Sequence, residues 1–234
     1  MASIIHSAAP YGFHTSRVEV EVDVAQGMPQ FTIGGLGDTA IHESKERIRS
    51  AIKNSGYKFP DGRVTVNLAP ASSRKEGASL DCAIALGILT EMGVISPVSS
   101  DIVVLGELAL NGSVRPIQGA IRIALDLVKH HPGTFIIPES NFLEVRVVEG
   151  LTYIPVRTLG DILSALQPDS KLERVMGSRA FLASAPSQST ISVRLEDIAG
   201  HEQAKRALMI AAAGNHHLLL YGPPGAGKSI LAQA

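Results

Sequence analysis

One cysteine, no tryptophan and few aromatic residues set the first limits on this sequence of 234 residues. Cys82 alone can form no internal disulfide, which fits a reducing, cytoplasmic setting. Its place inside the apolar run Leu80–Leu89 reads as a small core residue rather than a reactive thiol. Aromatic side chains make up 4% of the chain and are not interleaved with basic positions, so a stacking platform for single-stranded nucleic acid is unsupported. No apolar run approaches the ~18 residues of a membrane span. The start, Met1-Ala2-Ser3-Ile4-Ile5-His6, lacks the basic region and long apolar core of a signal peptide, so no membrane partner is expected. Neither charge sign dominates, and a net charge of −1 argues against a surface coated by nucleic acid. Only His130-His131 and His216-His217 are adjacent among the eight histidines, without i, i+4 spacing or nearby cysteine, and no zinc centre is expected. No internal repeat is visible.

What is present is an ordinary globular composition, 45% hydrophobic and 18% charged, long enough for one or two domains. Val18 to Val24 alternates valine with Glu19, Glu21 and Asp23, the period of a half-buried strand. Gln30–Ile33 is a second strand, and the turn Gln26–Pro29 between them predicts a β-hairpin. After the glycines at 34, 35 and 37, Asp38 or Thr39 caps a helix to about Ser55. Ile41, Ile48, Ala51 and Ile52 share one face of that helix, and Lys45, Arg49 and Lys53 form a basic stripe on another. Arg63–Leu68 reads as a strand ended by Asn67-Leu68-Ala69-Pro70, with Asn67 as a turn-former. A polar loop, Ser72–Ser79, feeds the apolar helix Leu80–Met92. Short strands at Ile102–Leu105 and around Ser113-Val114 are joined through Glu107 and a turn at Asn111-Gly112. Then come a helix at Ile121–His130, a strand at Thr134–Ile137, a helix near Asn141–Val145, a strand at Leu151–Pro155 and a helix at Thr158–Leu166. This order predicts a compact α/β or α+β domain over residues 1–167. Ser, Ala, Pro and charged residues without a sustained period make 168–190 a linker. A second domain spans 191–234, with a helix from about His201 to Ala213.

The strongest motif is Gly222-Pro223-Pro224-Gly225-Ala226-Gly227-Lys228-Ser229, a glycine, four free positions, then Gly-Lys-Ser. The preceding run Leu218-Leu219-Leu220-Tyr221 reads as a buried parallel strand, and Ile230, Leu231 and Ala232 begin a helix. Glycines in such a loop let backbone N–H groups turn onto phosphate oxygens at the positive end of the helix. Lys228 would reach the β- and γ-phosphates of ATP, and the Ser229 hydroxyl would complete a Mg²⁺ shell. Five residues follow Ser229. An acidic strand end and an arginine finger are therefore expected to lie outside this sequence, hydrolysis by these residues alone is expected to be undetectable, and the stretch from about 190 is expected to lack its packing partners.

Asp197-Ile198-Ala199-Gly200 with Ala204-Lys205-Arg206-Ala207-Leu208 resembles the segment that precedes the phosphate loop in AAA+ ATPases. That likeness implies base contacts by Ile198 and Ala199. The whole chain resembles the magnesium-chelatase-like AAA+ proteins of the YifB or ComM type. The likeness rests on Val18–Val24, Phe31-Thr32-Ile33, the run Glu43–Ile52, and Val66-Asn67-Leu68-Ala69-Pro70. It implies an N-terminal domain of the ribosomal S5 domain 2-like, Lon-protease-like fold, followed by the start of a P-loop AAA+ domain. It also implies a homo-hexameric ATPase acting on DNA, a branch-migration motor in natural transformation, with ATP and Mg²⁺ as cofactors. Lys75-Glu76-Gly77-Ala78-Ser79 resembles the segment that carries the Lon nucleophile, placing Ser79 at that position. The matching turn is Pro116-Ile117-Gln118-Gly119-Ala120, and the residue where the resemblance implies a lysine base is Ile121. A serine hydroxyl without an adjacent base is a weak nucleophile, and Arg122 stays protonated, so Ser79 is expected to cap the following helix. Asp81 and Glu107 are expected to be capping or exposed rather than catalytic. The alternative reading is a non-catalytic DNA-binding or subunit-assembly module, with a residual serine hydrolase and a porphyrin-metallating subunit as weaker options.

Overall fold

The computed structural model describes residues 2–11, 14–35, 39–70, 79–129, 133–180, 193–214 and 216–233. The chain divides into two compact units, residues 1–184 and 185–234.

The first unit is built on an eight-stranded mixed sheet. Its strands are β1 (Ser3–Tyr11), β2 (His14–Ala25), β3 (Gln30–Gly34), β4 (Arg63–Ala69), β5 (Ile102–Val104), β8 (Thr134–Pro138), β9 (Thr152–Val156) and β10 (Val175–Met176). They lie in the order β10-β9-β8-β5-β1-β2-β4-β3. A separate two-stranded ribbon pairs β6 (Glu107–Leu108) with β7 (Val114–Arg115). The helices are α1 (Thr39–Asn54), α2 (Asp81–Glu91), α3 (Ala120–Leu127), α4 (Glu139–Val145) and α5 (Leu159–Ala165).

Strand periodicity sorts the side chains between two cores. In β8, Ile136 joins the larger cluster, with α1, α2 and α5, while Phe135 and Ile137 join the smaller one, with α3 and Val145. Strands buried on both faces read as continuous apolar runs, as β8 does. The valines of β2 and β4 all turn toward the larger cluster, and Glu19, Asp23, Arg63, Thr65 and Asn67 face the other way. Helix α2 is apolar on every side, and residues Asp81–Leu89 are all buried. That is the pattern of a helix enclosed by its neighbours, here β1, β2 and α1.

Several expectations from the sequence are corrected. Strands β2 and β3 form no hairpin: β4 lies between them, antiparallel to β2 and parallel to β3. The short turn permitted a hairpin, but α1 carries the chain across so that β4 takes the central place. Asn67 is no turn residue. It stands in mid-strand, and its side-chain amide donates to Glu21 at 2.8 Å across the β2–β4 ladder. Strand β1 is not visible as a pattern in the sequence because Ser7, Ala8 and Ala9 are all buried and small. Its nine residues pair with β2 from Ser3↔Val22 to Tyr11↔His14. Within the stretch that reads as a linker, β10 pairs with β9, and Ser178 N–H donates to Arg146 O at 2.8 Å. The expected Ser72–Ala78 loop, including Arg74 and Lys75, lies outside the described residues, as do Gly37, Asp38, the His130-His131 pair and residues 181–190.

The second unit holds a short 3₁₀ turn, Leu195–Asp197, then α6 (Glu202–Gly214) and α7 (Lys228–Gln233). The predicted strand Leu218–Tyr221 does not form. Leu219 is 87% exposed and Tyr221 98%, and no strand is paired with them among the described residues. A parallel strand needs hydrogen-bonded neighbours and covered faces, which an apolar run cannot supply for itself.

Candidate functional site: the glycine-rich loop before α7

The loop Gly222–Ser229 is shaped by its own sequence. Gly225 and Gly227 adopt φ of +80° and +74°, a region that costs other residues strain. Ala226 N–H donates to Pro223 O at 3.3 Å, closing the turn between them. Lys228 opens α7, and its ammonium folds back to donate to Gly222 O at 2.8 Å and Pro223 O at 2.7 Å. Gly225, Ala226, Gly227, Lys228, Ser229 and Ile230 line a cavity of about 310 Å³. Ser229 is exposed in the first turn of α7. Five of the predicted positions, Gly225, Ala226, Gly227, Lys228 and Ser229, thus line one cavity, and Lys228 ties it to Gly222 and Pro223 through their carbonyls.

Ile198 and Ala199 stand apart from that cavity. Ile198 is buried and Ala199 exposed, just after the turn in which the Asp197 carboxylate accepts from Arg194 N–H at 3.0 Å. A larger hollow of about 750 Å³ lies in the same unit, lined by Arg194, Leu195, Glu196, Glu202, Lys205, Arg206 and Met209. No sequence signal pointed to it. Its charges are largely paired, Arg194 with Glu196 at 3.1 Å and Lys205 with Glu202 at 3.3 Å.

The residues of a suspected protease site are not assembled among the described residues. Ser79 does not cap α2: the N-cap is Leu80, with no side-chain capping bond, and Ser79 Oγ is buried without a hydrogen-bond partner among the described residues. Its backbone is held instead, since Ser79 O accepts from Gly106 N–H at 3.0 Å. Ile121 packs on the smaller core, as its side chain demands.

Asp81 is the group that sequence reasoning missed. Rather than capping in solvent, its side chain is 1% exposed and bridges three elements. It accepts from Arg47 Nε of α1 at 3.0 Å and from Leu108 N–H of β6 at 3.2 Å. Burial pushes its carboxyl up to about 6, against the opposing pull of Arg47 and the Leu108 N–H. Glu107, expected to be capping or exposed, is partly exposed and pairs with Arg115 at 3.2 Å. Cys82 is fully buried, which drives its thiol well above the ordinary range.

The basic stripe of α1 is divided in use. Arg49 lies over the Phe59 ring at 5.0 Å, Lys53 is exposed and Lys45 half-buried. Lys58 pairs with Asp61 at 2.8 Å. No helix is long and apolar enough to cross a membrane among the described residues.

Comparison with known families settles the lineage. The family described as subunit ChlI of Mg-chelatase matches residues 20–141, more than half of the chain, and a second description, magnesium chelatase, subunit ChlI, matches 194–234. The chain belongs to this magnesium-chelatase-like family, of the YifB and ComM type. It is 37% identical over 231 residues to the uncharacterized protein YifB of Escherichia coli, covering 98% of the chain and 44% of that protein. It is 38% identical over 232 residues to the competence protein ComM of Haemophilus influenzae, covering 98% of the chain and 45% of that protein. The chain therefore spans less than half the length of these relatives. Lon protease 2 of Bacillus subtilis is 25% identical over 181 residues, 70% of the chain and 32% of that protein. With the mixed α/β sheet, this likeness identifies the N-terminal fold as Lon-like.

Proposed function

We propose that Gly222–Ser229 is a nucleotide-binding phosphate loop, and that the whole protein is a magnesium-chelatase-like AAA+ ATPase working on DNA as a homo-hexamer. The observation that carries the reading is the Lys228 ammonium held in the mouth of the loop, between two backbone carbonyls and beside the helix start. The positive φ of Gly225 and Gly227, together with the adjacent Ser229 hydroxyl, fits ATP phosphates with Mg²⁺. When bound, Mg²⁺ would neutralise charge on the phosphate oxygens, and Ser229 is the residue that would hold it. Ile198 and Ala199 are proposed to flank the base. Relationship to a competence protein supports a role in DNA processing, which we place in the cytoplasm, with hydrolysis and motor work proposed for the whole protein.

Calorimetric titration with MgADP tests the loop. The wild-type chain should bind, and Lys228→Ala should lose at least tenfold in affinity, since the ammonium makes a charge-assisted contact to phosphate. Equal affinity in the two proteins would refute the assignment. For the first unit, a binding or assembly role without proteolysis is favoured by Ser79, whose buried hydroxyl meets no base among the described residues. Peptidase activity abolished by Ser79→Ala would overturn that reading.

A further inference from the structure

His201 is the one non-glycine residue with positive φ, +58°, among the described residues. It stands at the entrance of α6, where its carbonyl accepts from Lys205 N–H at 2.9 Å. A residue that opens a helix ordinarily has extended backbone and turns its side chain onto the helix's own N–H groups. A left-handed conformation at histidine costs of order 1 kcal/mol and is retained where something else fixes it. Here it follows Gly200, itself at φ +69°, and aims the imidazole elsewhere. Nε2 lies 3.4 Å, and Cδ2 3.9 Å, from the point where a Cβ on Gly227 would stand. The ring thus rests beside the glycine just before Lys228, within van der Waals reach of it. Ile230 closes the same spot from α7, with Cγ2 at 3.7 Å. The next residue, Glu202, is engaged by Lys205 at 3.3 Å.

We propose that His201 is a further ligand-binding residue of this loop, its imidazole donating a hydrogen bond to the phosphates of a nucleoside di- or triphosphate seated against Gly227. This rests on the reading of Gly222–Ser229 as a phosphate loop. An imidazole N–H donates to a phosphate oxygen, and a hydrogen bond to a charged acceptor is roughly twice as strong as a neutral one.

The test is calorimetry with MgADP and with magnesium pyrophosphate at one pH. Wild type is compared with His201→Ala, which removes the donor, with His201→Gln, which keeps one, and with Lys228→Ala. Wild type should bind both ligands about tenfold more tightly than His201→Ala, with His201→Gln recovering part of the loss. Circular dichroism of each variant checks that the helices persist. Equal affinity in wild type and His201→Ala, with binding still lost in Lys228→Ala, overturns the role of His201 alone. A loss seen with MgADP but absent with pyrophosphate also overturns it, since the contact would then be to the base. Failure of wild type to bind MgADP, or undiminished binding by Lys228→Ala, overturns the loop assignment and this inference together.

Discussion

Acidification from pH 7 to pH 4 should stabilise the first unit through Asp81. Its side chain is 1% exposed, and burial raises its carboxyl to about 6 even with Arg47 at 3.0 Å. In the unfolded chain an aspartate titrates near about 3.9. Between these values the folded state holds more protons than the unfolded state, so stability falls as pH rises through the window and is highest below it. The difference of roughly two pH units corresponds to about 3 kcal/mol, of which about 1 kcal/mol should be recovered between pH 7 and pH 5. The perturbation is Asp81→Asn, which keeps the shape and removes the titration. Urea unfolding of both proteins at pH 4, 5, 6 and 7 gives the wild-type minus variant difference, in which all other ionisations cancel. That difference should move in favour of wild type as pH falls, by about 1 kcal/mol to pH 5 and about 2 kcal/mol to pH 4. A flat difference would show that the carboxyl is ordinary, and a shift toward the variant on acidification would show that Arg47 outweighs burial.

Three further outcomes follow from packing and capping. Gly87→Ala usually stabilises a helix by about 1 kcal/mol, but here a Cβ would stand 2.5 Å from Val22 Cγ2, so the sign should reverse. A loss of about 1–3 kcal/mol in chemical denaturation is expected, and a gain would mean that α2 and β2 can separate without cost. Thr158→Ala should lose about 1 kcal/mol, because Thr158 Oγ1 accepts from Asp161 N–H at 3.1 Å while Asp161 accepts from Thr158 N–H at 3.0 Å. An unchanged urea midpoint would count against that capping box. Leu219→Lys should leave stability within about 0.5 kcal/mol, since the side chain is 87% exposed, and a larger loss would show that the run 218–221 is packed.

Legibility in the sequence followed the distance over which each feature is decided. Strands β2 and β4 were visible because each alternates valine with polar residues, a signal contained in seven positions. Helix α2 was visible as an apolar block. The order of the strands was not, because β4 reaches its place between β2 and β3 only after α1 crosses, and the short turn after Ala25 gives no hint of this. Strand β1 hid behind Ser7, Ala8 and Ala9, whose burial depends on a sheet not yet formed. The role of Asp81 was invisible for the same reason, since its partner Arg47 lies 34 residues away. Its neighbours in sequence, all apolar or small, say only that a charge there would be costly.

The second unit separates the same two kinds of information within a few residues. The turn at Gly225 and Gly227 and the start of α7 are local, fixed by φ preferences and one or two hydrogen bonds, and they form. The run Leu218–Tyr221 needs strands beside it and helices above it, and it stays open. A loop that keeps its curvature without its strand can still present Lys228 to an anion, but it holds the ammonium on its own carbonyls at 2.7 and 2.8 Å. Phosphate binding must therefore break two charge-assisted hydrogen bonds within the loop before it gains its own. Covering the strand would not alter those two bonds. It would fix the position of Gly222, from which one of them is made, and so the distance over which Lys228 must move.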